Sequence, residues 1–154
     1  MEIKAEINTV ITEPAENKQV QLREEDGERQ IAIGMDGLSC DYLMCALTKG
    51  EKSTPSPQEV MFNCLLCLKA NVEKVVIDDL IDMVYRASIF IKDARENRTY
   101  TLKMSPIDAL ILATVAECPI FILGEVFDKS KEETSKTDVE RAFENLDPKK
   151  STKM

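Results

Sequence analysis

Alternation of apolar with polar residues at the start of the chain constrains its fold more than any other feature of the sequence. From Glu2 to Ile11 the two kinds of residue alternate, which predicts a half-buried β-strand. A shorter alternating segment at Val20–Leu22 predicts a second strand. The dipeptide Asp26-Gly27 then predicts a hairpin whose tight turn needs positive φ at both positions, with a returning strand over Arg29–Ile33.

The rest of the chain mixes helical and strand patterns. Ser56 and Ser105 each precede a proline and stand three residues before an acid, which is typical of a capped helix start. Helices are predicted over Leu38–Leu47, Pro57–Leu68 and Ala109–Glu117, and strands over Val72–Ile77, Val84–Lys92, Thr99–Lys103 and Ile120–Leu123. Strands that cluster early and then mix with helices predict an α+β domain with a mixed, mainly antiparallel sheet packed against helices.

The composition changes at Lys129, so we predict a folded body over residues 1–128 and a polar, mobile tail over residues 129–154, with one short helix at Thr137–Leu146. The chain has 20 basic and 28 acidic residues and a net charge of −8. The tail holds 7 basic and 6 acidic residues, which leaves a net charge of −9 on the body. This balance argues against a nucleic-acid coat protein or a polybasic membrane binder, because both need an excess of Lys and Arg.

The absence of histidine excludes whole classes of chemistry. With no His in the sequence, Ser-His-Asp and Cys-His catalysis and every His-containing zinc site are ruled out. No segment approaches the roughly 20 apolar residues of a membrane span. The N-terminus also lacks the apolar block of a signal peptide, so a cytoplasmic protein that does not contact membranes is expected.

The five cysteines, an odd number, lie mostly within apolar runs. In a reducing cytosol they are expected to pack as small apolar side chains and not to form disulfides. Cys64 and Cys67 form a C-x-x-C pattern, but zinc binding would need a second pair, and a thioredoxin-like motif would stand at the start of a helix. Core packing is therefore predicted for both, and no zinc is expected.

Three segments, which follow one another in the same order as in a known family, carry a resemblance to that family. They are Asp26–Arg29 with Ile31 and Ile33, Val75–Leu80 with Asp82, Tyr85 and Ala87, and Pro106 with Asp108, Ala109, Leu112 and Ala113 followed by Cys118–Ile120. Between Glu25 and Val126, about two thirds of the chain, the sequence resembles the bifunctional nuclease domain family. The resemblance implies cleavage of RNA and DNA and assembly as a homodimer.

The chain departs from the family pattern at three places. Gly34-Met35-Asp36 stands where the family has Trp-Ile-Gly, and Ser39 takes the place of the acid that follows. Pro57-Gln58-Glu59-Val60 replaces Thr-His-Asp-Leu, and Lys103-Met104-Ser105 replaces Asp-Ala-Arg. The implied fold survives these changes, whereas the site that the implied nuclease activity would use loses two acids, a histidine and an arginine.

Phosphodiester hydrolysis without histidine points to carboxylates that hold Mg²⁺ or Mn²⁺, which prefer oxygen ligands. Asp78, Asp79 and Asp82 follow a predicted buried strand and are the candidate metal ligands, with Asp79 and Asp82 also candidate catalytic residues. The alternative is a polar turn that keeps the strand end soluble. No organic cofactor is expected.

Asp108 is the third candidate catalytic residue, because it belongs to the most recognisable segment. It also stands three residues after Ser105, where a carboxylate caps a helix, and Glu59 repeats that arrangement in the preceding helix. The repetition favours a structural role for Asp108. Arg29 and Arg86 are the candidate residues for binding substrate phosphates.

Two functions remain open at this point. One is a metal-dependent nuclease acting on RNA or DNA. The other is a catalytically silent homodimer that retains the scaffold for interaction or regulation. A long exposed edge predicted for Glu2–Ile11 would favour pairing with a second subunit.

Overall fold

A computed structural model describes residues 1–50 and 54–145, with side chains described up to residue 135. The strands are β1 (Glu2–Ile11), β2 (Gln19–Glu24), β3 (Gln30–Gly34), β4 (Ala70–Ile81), β5 (Val84–Asp93), β6 (Arg98–Met104) and β7 (Ile120–Leu123). The helices are α1 (Gly37–Thr48), α2 (Pro57–Cys67), α3 (Pro106–Ala116) and α4 (Gly124–Asn145). The predicted α+β class is confirmed, and each strand predicted from alternation is present.

The seven strands form one mixed sheet in the order β3-β2-β1-β7-β4-β5-β6. The pair β4–β7 is parallel, and the other neighbouring pairs are antiparallel. The parallel pair requires a crossover, which the chain makes through β5, β6 and α3. The sheet is therefore mainly antiparallel, as predicted.

Helix α3 forms the centre of the hydrophobic core. Six of its eleven residues are buried, including Leu110, Ile111 and Leu112 at zero exposure. These side chains pack with alternate residues of the strands, such as Ile77 on β4 and Ile89 on β5. Because successive strand residues point to opposite faces, one face of the sheet faces α3 and the other carries polar side chains and the rings of Phe90 and Phe121.

The hairpin between β2 and β3 forms where predicted, but its turn chemistry differs. Glu24 N–H donates to the carbonyl of Arg29, which leaves a four-residue loop, and neither Asp26 nor Gly27 has positive φ. A Cβ at position 27 would lie 2.0 Å from the Glu24 carboxylate oxygen. A side chain here would displace the Glu24 carboxylate, which binds Arg29, whereas the turn does not use the conformational freedom of glycine.

Strand β1 is not the exposed edge that was predicted. It lies inside the sheet, with β2 along one side and β7 along Glu2–Ala5 on the other. The edges of the sheet are β3 and β6. The prediction is wrong for Glu2–Ala5, whereas within the described residues no strand pairs with Glu6–Ile11 on the β7 side. Alternation reports the faces of a strand and carries no information on its neighbours.

Helix α4 runs through the boundary predicted between residues 128 and 129. Val126 and Phe127 are buried on one side of that boundary, while Lys129 and Ser130 on the other side bond to β4 and β5. The predicted helix at Thr137–Leu146 overlaps the end of α4, and residues 146–154 lie outside the described part. In the described part, no helix is long and apolar enough to cross a membrane.

The prediction of core packing for Cys64 and Cys67 is wrong. Both lie on α2 with exposed side chains, whereas Cys40 of α1 is buried. Helix α2 buries Gln58, packs Met61, Phe62 and Leu65 against the core and turns Val60 and Leu66 outward, so the two cysteines lie on its outer face. The error came from treating apolar neighbours as a sign of burial.

Candidate functional site

Three helices begin at one pocket of about 420 Å³. Leu38 and Ser39 come from the first turn of α1, Pro57 and Gln58 from the first turn of α2, and Asp108 from the first turn of α3. Tyr42, Met61 and Met104 complete its lining. We refer to it as the helix-start pocket. Because the dipole of each helix places partial positive charge at its start, the arrangement favours an anion.

Capping side chains hold the first turns of α1 and α2. The Asp36 carboxylate accepts a hydrogen bond from Ser39 N–H at 2.7 Å, and this bond lowers the pKa of Asp36. The Ser56 hydroxyl caps α2 by accepting from Glu59 N–H at 3.2 Å, as predicted. Each of these two starts is therefore held by a side chain.

Asp108 does not have the capping arrangement that the sequence favours. Ser105 makes no side-chain cap bond at the start of α3. The Oδ1 atom of Asp108 instead accepts a hydrogen bond from Nε2 of Gln58 at 2.8 Å, which joins α3 to α2. The carboxylate still lies in the first turn of α3, where the helix dipole stabilises negative charge.

Gln58 is the residue of this pocket that sequence reasoning missed. It is 8% exposed, and its Oε1 atom is buried without a hydrogen-bond partner. A buried amide oxygen with no partner is costly, and a bound ligand would satisfy it. The signal that could have found it was its position, where the resembling family has histidine.

The places at which the chain departs from that family pattern meet in the helix-start pocket. Ser39 stands in place of the acid, Gln58 in place of the histidine, and Met104 at the centre of the replaced Asp-Ala-Arg. Asp108, which the chain retains, lines the same pocket. The replaced and retained positions therefore belong to one site.

The structure does not bring Asp78, Asp79 and Asp82 together. The Oδ2 atom of Asp78 accepts bonds from the Ser88 hydroxyl and, at 2.7 Å, from the Lys103 ammonium. Its other oxygen, Oδ1, is buried and has no partner. Asp78 lies within β4 and not in a turn, because that strand extends to Ile81.

Asp79 and Asp82 have separate environments. Asp79 accepts a bond from Lys129 Nζ at 2.6 Å and from Leu80 N–H, and both lower the pKa of its carboxyl. Asp82 is exposed and forms a two-residue hairpin loop with Met83, with φ of 50° and 67°. Positive φ at both positions is the mark of a type I′ turn, which favours Asp at this place.

Arg29 and Arg86 are not among the residues that line the helix-start pocket. The Arg29 guanidinium donates to the Glu24 carboxylate at 2.9 Å and lies 4.7 Å from the centre of the Phe127 ring. The hydrogen bond from Arg29 lowers the pKa of Glu24. Arg86 is exposed and is paired in register with Asp79, whose carboxylate it also stabilises.

The helix-start pocket offers a hard cation one carboxylate, that of Asp108. Among the residues that the structure describes, no three Cys, Asp or Glu side chains lie close enough to hold a metal. Mg²⁺ commonly uses one or two carboxylates together with substrate phosphates and water. The Asp108 carboxylate and the free Oε1 of Gln58 meet that minimal requirement.

Comparison with known protein families identifies a match. The family model described as bifunctional nuclease domain matches residues 20–135, which span from β2 into α4 and include the whole helix-start pocket. No curated protein matches the chain.

Proposed function

Because the chain belongs to the bifunctional nuclease domain family, we propose that it hydrolyses phosphodiester bonds of RNA or DNA at the helix-start pocket. The observation that carries this proposal is the meeting of three helix starts around the Asp108–Gln58 pair. The substrate phosphate binds against the helix starts, where N–H groups and dipoles attract it in a chain of net charge −8. Binding is therefore local and does not depend on a basic surface.

Asp108 and Gln58 are the two side chains assigned to the reacting phosphate. A divalent cation such as Mg²⁺ or Mn²⁺, when bound, would neutralise charge on the phosphate and lower the pKa of a water molecule. Asp108 and the Oε1 of Gln58 would hold it. Gln58 also fixes the Asp108 carboxylate through its Nε2 donor, so the pair acts as a unit.

The test is cleavage of labelled single-stranded RNA and DNA by the purified chain with Mg²⁺ or Mn²⁺. Cleavage should stop when EDTA is added. Asp108→Asn keeps the size and an acceptor oxygen but removes the charge, and it should lower the cleavage rate by roughly 100-fold or more. Glu59→Gln is the matched control, because Glu59 has the corresponding position in the first turn of α2. It should leave the rate within a few-fold.

Two outcomes would count against Asp108 as the reacting carboxylate. One is an Asp108→Asn variant as active as the wild type, and the other is an equal loss in both variants. If Asp79→Asn or Asp82→Asn caused the larger loss, the site predicted from the sequence would be favoured instead.

A catalytically silent protein is the second candidate, and the side chains at Ser39 and Gln58 favour it. They replace an acid and a histidine, and the amide of Gln58 holds an oxygen of Asp108. If the scaffold only binds, the wild type should bind single-stranded nucleic acid without cutting it. The variant Ser39→Glu/Gln58→His, which restores the acid and the histidine at these two positions, should then cleave in the presence of Mn²⁺. An inactive double variant that still binds metal would contradict the idea that these replacements silenced the site.

A further inference from the structure

Cys64 and Cys67 present two exposed thiols at the end of α2. Both line an apolar groove on that helix together with Val60, Asn63 and Leu68. Residues three apart lie on the same side of a helix, so the two sulfur atoms share one surface. The pair lies at the opposite end of α2 from Gln58, outside the helix-start pocket.

The helical spacing of the two cysteines is compatible with a disulfide between them. The helix ends at Cys67, and the N–H of Leu68 is shared between the carbonyls of Cys64 at 3.2 Å and Leu65 at 3.1 Å. The second bond is of the 3₁₀ type and closes a turn over Leu65–Leu68, which contains Cys67 but not Cys64. In a helix their Cα atoms are about 5 Å apart. This lies within the range of roughly 4.4–6.8 Å that a disulfide requires.

We propose that Cys64 and Cys67 form a redox-active dithiol that a low-molecular-weight disulfide, such as oxidised glutathione, converts to an intramolecular disulfide. One cysteine thiolate attacks the external disulfide, forms a mixed disulfide and releases one thiol. The second thiolate attacks the mixed disulfide at the protein sulfur, which closes the Cys64–Cys67 bond and releases the second thiol. Two electrons pass to the external disulfide, and the two cysteine protons end on the released thiols.

A redox role fits the surroundings of this pair better than a metal site held by this chain alone. In the described part of the chain, no third Cys, Asp or Glu side chain joins the two sulfurs to complete a metal site. A soft metal ion commonly takes more than two protein ligands, and structural zinc takes four. A disulfide needs only the two thiols that are present.

The experiment treats the reduced full-length chain with oxidised glutathione, blocks free thiols with N-ethylmaleimide and locates disulfides by peptide mass mapping. The expected product carries the Cys64–Cys67 disulfide and no bound glutathione. Cys118 serves as an internal reference, because burial raises the pKa of its thiol to about 11. Its reaction should be slower by about tenfold or more, since the thiolate is the reacting form.

Single variants separate the two steps. Cys64→Ser should stop at a stable mixed disulfide between glutathione and Cys67, and Cys67→Ser at the corresponding product on Cys64. Cys45→Ser, a half-buried cysteine of α1, is the control and should close the disulfide as the wild type does. The proposal is overturned if the wild type stops at a mixed disulfide, or if Cys64 and Cys67 react no faster than Cys118. Neither readout depends on nuclease activity.

Discussion

The carboxylate of Asp79 on β4 is held mainly by one ion pair, with Lys129, and not by a cluster of acids around a metal. Its Oδ1 atom accepts from both Lys129 Nζ and Leu80 N–H, and Arg86 adds a further positive charge. The bond to Lys129 is the main cause of the lowered pKa of Asp79 and of the raised pKa of Lys129. Because Lys129 belongs to α4, this ion pair ties that helix to the sheet.

The pH dependence of stability should report this pair. Asp79 has a lowered pKa in the folded state, so its contribution is present above the ordinary aspartate pKa of about 4 and is lost as the pH falls through the folded value. Lys129 has a raised pKa, so its contribution is present below the ordinary lysine pKa of about 10 and is lost at higher pH. Lys129→Met should therefore lower the free energy of unfolding at pH 7, and the difference from wild type should shrink in acid.

Urea titrations at pH 7 and pH 3 measure this difference. Lys131→Met, a change of the same kind on the same helix, should have a smaller effect at pH 7 and no comparable change with pH. A Lys129→Met deficit that stayed constant between the two pH values would show that the lost stability comes from packing and not from the ion pair.

The sequence identifies Asp108 as a candidate residue but favours helix capping as its role. Ser105 followed by Asp108 matches a capping pattern. Nothing in that pattern reveals that Gln58 of another helix donates a hydrogen bond to the Asp108 carboxylate. Gln58 gave no local signal, because a polar residue beside a helix-starting proline is usually exposed, and only its position against the family pattern distinguished it. Contacts between helix starts depend on how helices pack, which a local pattern does not contain.

At the scale of elements, the two hairpins show a contrast in turn chemistry. The Asp26-Gly27 loop has the sequence of a type I′ turn without its conformation, whereas Asp82-Met83 has positive φ at both positions without glycine. In the first hairpin the guanidinium and the backbone N–H of Arg29 both donate to the Glu24 carboxylate, and these bonds join the two ends of the four-residue loop. In the second, β4 and β5 pair up to Ile81 and Val84, which leaves only two residues to turn.

Valine substitutions should separate these two turns. Asp82→Val places a β-branched residue at φ of 50° and should lower the free energy of unfolding by about 1–2 kcal/mol relative to Asp82→Gly. Asp26→Val is the matched control, an exposed aspartate in a hairpin loop without positive φ, and should cost less. Urea titration of the three variants measures the differences. Equal losses in Asp26→Val and Asp82→Val would contradict this assignment of strain.

At the scale of the whole molecule, local patterns predicted the elements but not their order. Alternation and capping located the strands and three helices, because burial of one face imposes a period on the sequence. The position of β1 beside β7 joins residues more than a hundred positions apart, and no local pattern records that pairing. Residues 129–145 of α4 were predicted as part of the tail because they are mostly polar, although they continue a helix whose first turn is buried at Val126 and Phe127, and Lys129 attaches them to β4.

The position of the free edges bears on the homodimer that the resemblance implies. We propose that two copies pair through β6 and not through β1. Tyr100 and Leu102 on β6 are 41% and 48% exposed, which is high for apolar side chains on a sheet edge. In an antiparallel pair centred on Thr101, Tyr100 stands opposite the partner's Leu102, and Lys103 opposite the partner's Thr99. Such an edge is self-complementary, because apolar side chains meet and no like charges face each other.

Replacement of Leu102 by glutamate should break this dimer. Leu102→Glu would set a charge against the partner's Tyr100 at both symmetric positions and would remove the apolar contact between the two edges. Light scattering should give the wild type twice the chain mass of 17.4 kDa and the variant that mass alone. Val84→Glu is the matched control, because Val84 is 59% exposed at the β4–β5 hairpin, away from the β6 edge, and should leave the dimer intact. A wild type that stays at 17.4 kDa over a wide concentration range, or a Leu102→Glu variant that remains dimeric, would overturn pairing through β6.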